Sequence, residues 1–562
     1  MKAVPFYIVP VLWLVSFFFS IPLAEPHEVA RLLSLAAGVA ALGVVLADPA
    51  NRAATLPVAG LPVLVLAFLA WCGLTFFWSV SPFVTVIAWG TLSLLPLWFL
   101  IFALMPVTPR QIMLVLRLAV GAGGALALWA FAQYFVFTEF LNEYGTIAYP
   151  FADPNNYAAL LNVGIFVALG LMLHADRAGE RYAQGAASVL MMAAMVMIGS
   201  RAGMVFAFAG LAVFALMTRG AARSPAKMIV VLMAAGCVAL AVTALFNAER
   251  ITSIMRVGHL FTDGGSLSTR LMLWSATLDL IGQRVWGGAG LGTFFLLYPA
   301  VRDPAEIYSA GLMTHMDPLQ FWAEAGLPAA ILLYAILLAV ALRFLAFLKA
   351  APSGARRSLL PVALFCALLT LAFHMHVSFH LYVAAVLVMA GAVLGVLMRL
   401  LPPVRPLASV SAGTPAMLFL IVMCAYLAVF QSCLFSEMHT RQAVAALDKG
   451  DMQTFGDKVN QASREGFDLN PRPYVLAASV PLGLLQTSPH LPPTEKQALF
   501  AQADDLLDRS LARSPFNAGA YFSKALLYGA AGRGDEAVRF LEKTLETDPR
   551  HPQARALLAH PR

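Results

Sequence analysis

The run HLYVAAVLVMAGAVLGVLMRL, residues 380–400, holds no charged residue from Leu381 to Met398. At about 1.5 Å of rise per residue, a helix over this run approaches the ~30 Å hydrocarbon thickness of a bilayer. It lacks the apolar/polar alternation of a barrel strand. Runs of this kind recur along the 562 residues, of which 60% are hydrophobic and 12% charged, more apolar than a soluble domain. Thirteen spans are expected, at about 5–24, 29–48, 56–79, 82–105, 111–137, 157–174, 185–199, 202–217, 228–247, 319–348, 359–378, 380–400 and 415–434. The fold class expected is an all-α polytopic membrane protein, with residues 1–434 as its membrane domain. The N-terminal apolar stretch is too long for a signal-peptide core and reads as the first span.

Basic residues set the orientation. With a cytoplasmic N-terminus, the inner connections carry Arg52, Arg110, Arg177, Arg181, Arg219, Arg223, Lys227, Lys349, Arg356, Arg357, Arg399 and Arg405, while the short outer connections are nearly free of Lys and Arg. The exceptions outside are Arg201 and the long loop of about 247–317, which holds Arg250, Arg256, Arg270, Arg284 and Arg302. Arginines kept on that side imply an anionic ligand. The net charge of +7 belongs to the membrane part, because residues from Phe435 onward hold 15 of the 37 basic and 15 of the 30 acidic side chains. That distribution suits topology and phosphate binding, and it excludes a nucleic-acid protein. The five cysteines fall in apolar spans without metal-ligand spacing and read as packing residues.

Residues 435–562, expected outside, are a different kind of sequence. A period of 34 relates Ala503 to Ala537, Leu507 to Leu541, Leu511 to Leu545 and Pro515 to Pro549, the spacing of tetratricopeptide repeats. Arg441 to Asn470 reads as a further degenerate hairpin ending at Pro471, and Thr487 to Thr494 as a loop.

Several residues are candidates for chemistry. Arg201, between Ser200 and Ala202 at a span boundary, is either a helix-end anchor or a guanidinium presented to a ligand. Ser268 is a candidate N-cap, followed by an apolar stripe of Leu271, Trp274, Leu278 and Ile281. Arg270 then falls in a first helical turn, where its charge opposes the helix dipole unless an anion is bound there. Gly287 to Gly292 lacks the strand, the acidic residue and the lysine of nucleotide-binding loops, and reads as a flexible turn. His315 precedes a span and is either a structural residue or a base; Asp317 either orients its imidazole or caps the helix. His374, His376 and His380 read as wet residues along an acceptor groove, and no metal is expected.

These segments resemble the O-antigen ligase and O-antigen polymerase superfamily of bacterial membrane glycosyltransferases. The resemblance runs from about residue 60 to 400 through Asp153-Pro-Asn155-Asn156-Tyr-Ala158, Gly199-Ser-Arg201-Ala-Gly203, Thr269-Arg270 with Trp274, Trp286 to Gly292, and His315-Met-Asp317 to Glu324-Ala-Gly326. Met316 replaces the family's usual Asn, and Pro328 stands where a glycine is common. The resemblance implies a GT-C-like architecture in the bacterial inner membrane, with active site and repeat domain periplasmic. It implies an undecaprenyl-diphosphate-linked glycan as donor, a lipid A core or growing polysaccharide as acceptor, and no cofactor. Arg201 and Arg270 would stabilise the diphosphate and His315 would act as base, with Asn155, Asn156, Trp274 and Asp317 lining the substrate site and inversion at the anomeric carbon. The repeat domain suggests a protein partner. Protein O-glycosylation and a non-enzymatic lipid-linked sugar transporter are the alternatives, the latter disfavoured because the spans are nearly free of charge.

Overall fold

The computed structural model describes residues 7–22, 27–49, 55–58, 60–104, 107–141, 147–219, 226–246, 266–350, 359–402, 408–411, 413–488 and 490–559. Among the described residues, eight helices are long and apolar enough to cross a membrane: His27–Ala47, Leu61–Trp78, Pro82–Leu104, Pro109–Phe135, Pro154–His174, Ala178–Ile198, Asp317–Ala350 and Thr414–Asp448. Five shorter apolar helices accompany them: Ile8–Ser20, Arg201–Met217, Ala226–Val242, Leu359–His374 and Ala384–Leu400. Each coincides with one expected span. The close division near residue 200 has a local cause. Gly199 adopts φ 79° and ends one helix, and the Ser200 hydroxyl accepts the Gly203 N–H to begin the next.

Because helix direction alternates along the chain, the starts of Pro154–His174, Arg201–Met217 and Asp317–Ala350 share one end of the bundle with the C-terminus of Leu359–His374. Small residues allow close approach, as at Gly391, where a Cβ would lie 2.5 Å from the Leu95 carbonyl oxygen. Buried polar contacts join helices too: the Trp98 indole N–H donates to the Ser16 hydroxyl, and the Asn162 amide donates to the Gly203 carbonyl.

The structure departs from expectation in several places. A short antiparallel pair, Thr55–Val58 with Ala408–Ser411, adds strands to an otherwise helical molecule. The expected domain boundary at 434/435 lies inside one continuous helix, Gly413–Asp448, whose 36 residues span about 54 Å. Its last turns pair with Met452–Arg464, burying Ala443, Ala446, Phe455 and Val459, so the first hairpin of the C-terminal domain grows directly from a membrane helix. Helices Arg472–Thr487, Pro493–Arg513, Ala518–Ala530, Gly534–Thr547 and Pro552–Ala559 follow. Two cysteines, Cys237 and Cys424, are exposed, so packing accounts only for Cys72, Cys366 and Cys433.

The glycine-rich segment is a packed knot, not a flexible turn. The Ala289 and Gly290 N–H groups donate to the Ala323 and Glu324 carbonyls, and Leu327 N–H donates to the Val285 carbonyl. The buried Glu324 carboxylate accepts from the N–H groups of Gly292 and Phe294, the Gln320 amide and the Tyr382 hydroxyl. The long Asp317 helix breaks at Gly326, with φ 77° and ψ 176°, where the chain passes against Trp286.

Two stability outcomes follow from this knot. A Cβ at Gly326 would sit 2.0 Å from the Trp286 carbonyl oxygen at a left-handed φ, so Gly326→Ala will lower the Tm of the detergent-solubilised protein sharply, whereas Gly282→Ala, with nothing within 4 Å, will leave it unchanged or slightly raised. Glu324→Ala strands several buried donors at about 1–3 kcal/mol each, and thermal unfolding will report a loss of several kcal/mol.

Candidate functional site

Asp153 caps the Pro154–His174 helix by accepting the Asn155 N–H, and the Asn155 side-chain oxygen accepts from the Ser200 hydroxyl at 2.7 Å. This side-chain link joins the start of Pro154–His174 to the start of Arg201–Met217, and brings Arg201, the first residue of its helix, near Asn155. Gly203 permits the contact, because a Cβ there would lie 2.6 Å from the Ala158 methyl. Arg270 enters from the fifth position of the Ser266–Gln283 helix. It lies close enough to Arg201 and Asp153 for both charges to act on it: burial pushes its pKa down, Asp153 opposes that shift and Arg201 adds to it. Two like charges meet near two helix N-termini, an arrangement that repels itself without an anion.

His315 completes the group. Burial holds its pKa below the ordinary histidine value, with Asp153 opposing the shift and Arg270 adding to it. The residue adopts φ 54°, a left-handed conformation costly for a side chain of this size. Its neighbours maintain it: the Thr314 N–H donates to Gln320, the Thr314 hydroxyl bonds to the Met316 backbone, and the Trp274 indole N–H donates to the Thr314 carbonyl. Phe379 meets the imidazole edge-on at 5.0 Å between centroids.

Several unpaired atoms gather here. Arg201 Nη1, Arg270 Nε, His315 Nδ1, Asn156 Nδ2, His380 Nε2 and both ring nitrogens of His374 are buried without a hydrogen-bond partner among the described residues. Native proteins pair nearly all such groups, so this concentration marks a place shaped for a polar ligand.

Other candidates take different places. Asp317 does not reach the His315 ring. Its Oδ2 accepts the N–H groups of His380 and Leu381, and its own N–H donates to the Met375 carbonyl, so it holds the turn between Leu359–His374 and Ala384–Leu400. That turn delivers His380 Nδ1 to the Asn156 side-chain oxygen at 2.8 Å. Trp274 reaches the site through Thr314. His374 and His380 are buried, not wet, with ring centroids 4.3 Å apart; His376 bonds instead to Tyr334 and the Ala372 carbonyl. Burial first, then the neighbouring His374 and His315, hold His380 well below its ordinary pKa.

Of the loop arginines, Arg302 is consumed by Glu306 at 2.8 Å and by the Ser309 carbonyl, and Arg284 is exposed beyond the opposite end of the Ser266 helix. Arg250 and Arg256 lie outside the described residues. Ser268 sits within the helix, not before it. The expected apolar stripe is rotated: Leu273, Ala276, Thr277, Leu280 and Ile281 are buried, while Leu271 and Leu278 are more than half exposed. Sequence reading treated Asp153 only as part of a motif and the buried histidines as lining. The one available signal was that three histidines fall within seven residues beside apolar spans, which does not specify burial.

Residues 186–334 match the family model described as O-antigen ligase, a stretch that includes Arg201, Arg270, His315, Asp317 and the glycine-rich knot. Residues 496–560 match a tetratricopeptide repeat model. No curated protein matches the chain. The chain is thus a polytopic helical membrane protein in which residues 186–334 are similar to O-antigen ligases and residues 496–560 to tetratricopeptide repeats.

Proposed function

We propose that the chain transfers a glycan from an undecaprenyl-diphosphate-linked donor to a hydroxyl acceptor at the periplasmic face of the bacterial inner membrane, within surface polysaccharide assembly. The observation that carries this reading is the meeting of Arg201, Arg270 and His315, each with a buried nitrogen lacking a partner among the described residues. The acceptor oxygen attacks the anomeric carbon as the bond to the phosphate oxygen breaks. The electron pair leaves on the diphosphate, and the acceptor proton passes to His315. Attack opposite the leaving group inverts the carbon.

A diphosphate is a good leaving group, so the protein's main task is to stabilise charge as it develops, which two guanidinium groups do through paired N–H donors without changing protonation. A base must be unprotonated at working pH, and burial keeps His315 in that state. In this reading Asn155 and Asn156, in the first turn of Pro154–His174, offer amide groups to the donor, the Asn156 Nδ2 being without a partner among the described residues. Asp317 and Trp274 act through the turns they hold. The periplasmic assignment rests on the basic residues Arg110, Arg177, Arg181, Arg219, Lys227, Lys349 and Arg399, which sit at the bundle end opposite the site.

In an assay of lipid-linked donor consumption by purified protein, Arg201→Ala and Arg270→Ala will each lower kcat by about 10²–10³, and Lys at either position will not restore it. His315→Ala will cost about 10²–10⁴. Wild-type turnover in all three alanine variants refutes the site. The rate of the wild type will hold as pH falls from about 8 to about 6.5 and drop only below that, because the imidazole charges late; a fall centred above the ordinary histidine value contradicts its role as base.

A further inference from the structure

A cavity of about 870 Å³ lies between the membrane helices and the repeat domain. Its membrane wall includes the end of Ile8–Ser20, the start of His27–Ala47, and residues of Pro82–Leu92 and Phe294–Val301; its other wall includes Glu437 and Arg441 of the long helix and the repeat-domain turns at 470–472, 514–518 and 547–548. The two walls are fastened together. Arg550 donates to the carbonyls of Glu306 and Asp303, Phe516 packs on the cluster of Phe294 and Tyr298, and Arg441 pairs with Glu28 at 3.1 Å. The repeat domain therefore completes this cavity as a fixed wall.

We propose that this cavity binds the glycan acceptor, an oligosaccharide carrying an anionic group. The inference rests on the transferase reading above and adds where the acceptor binds and which charged group of this chain recognises it. Three observations support it. The lining combines aromatic faces, among them Phe83, Phe295 and Phe516, with hydroxyl, amide and charged groups, the mixture that matches the apolar faces and hydroxyl rims of sugar rings. Its charges are unequally used: Glu28 and Glu437 pair with Arg441 and Arg472, while Arg31, on the same lining, has no ion pair among the described residues and meets Glu28 and Glu437 only through longer-range attraction. The Ser81 hydroxyl, on the same lining, is buried without a partner among the described residues. A guanidinium on this lining that makes no salt bridge of its own is suited to a phosphate or uronate on the ligand.

Position fits as well. Phe151 and Met313 line the cavity, each two residues from a member of the charged group, Asp153 and His315. An acceptor held here approaches His315 from the repeat-domain side, leaving the membrane side to the lipid-linked donor. A lipid would find too many charged groups on this lining.

The test uses the full-length protein in nanodiscs and a phosphorylated core oligosaccharide released from lipopolysaccharide, with its dephosphorylated form as control. Binding is measured without donor, and donor and acceptor KM are measured in the transfer reaction. Arg31→Gln will weaken binding of the phosphorylated probe at least tenfold and raise acceptor KM, leaving donor KM unchanged; the dephosphorylated probe will bind weakly and equally to both proteins. Thr91→Trp, which fills the cavity from the membrane wall, will weaken both probes. Wild-type affinity in both variants, or a change in donor KM instead of acceptor KM, overturns the cavity as the acceptor site. If wild type binds the oligosaccharide in this way but consumes no lipid-linked donor, the transferase reading fails while the binding site stands.

Discussion

The carboxylate of Glu324 is the tie on which the candidate site depends. It is buried and accepts hydrogen bonds from two backbone N–H groups of the glycine-rich knot, from Gln320 and from Tyr382. Gln320 in turn accepts the Thr314 N–H, directly before His315, and Tyr382 follows His380 by two residues. One carboxylate thus positions both histidine-bearing turns against the same framework. A buried carboxylate is costly without partners, and here four donors offset that cost. The glycines of the knot serve the same end by removing the side chains that would separate the backbones.

Around that framework the protein leaves charge unsatisfied. Some buried polar groups elsewhere are paired, as in the mutual Ser16 and Ser34 contacts, while single atoms of scattered residues such as Trp129, Gln184 and Ser510 are not. At the shared end of the bundle, two arginines and three histidines have nitrogens without partners among the described residues. The difference is one of concentration and charge: stability alone would select partners for these atoms or replace them with apolar groups. Asp153 moderates the excess, acting on both Arg270 and His315.

The repeat domain is joined to this end twice, covalently through the continuous Gly413–Asp448 helix and non-covalently through Arg550 and Phe516. A rigid helix crossing the boundary removes the freedom that a linker would allow. The domain is therefore part of the surroundings of the site and not a separate module carried beside it.

The spans were legible because a bilayer imposes a length and a composition that a single chain displays directly, and the run 380–400 already contains that information. Residue types able to bind an anion were legible for a related reason: Arg201 stands at a span boundary, where charge is expensive, and Arg270 in a loop on the side of the membrane where basic residues are few. What only the tertiary structure decided was pairing. Arg302 and Arg270 look alike in one loop, yet Glu306 forms an ion pair with the first, while the second bonds only to the Ser266 carbonyl and has no ion pair among the described residues. Likewise the buried face of Ser266–Gln283 depends on which neighbours surround it, and the role of Asp317 on where the 375–381 turn arrives. Hydrogen bonds and ion pairs join residues far apart in the chain, so local pattern reports which groups are present but not which remain free.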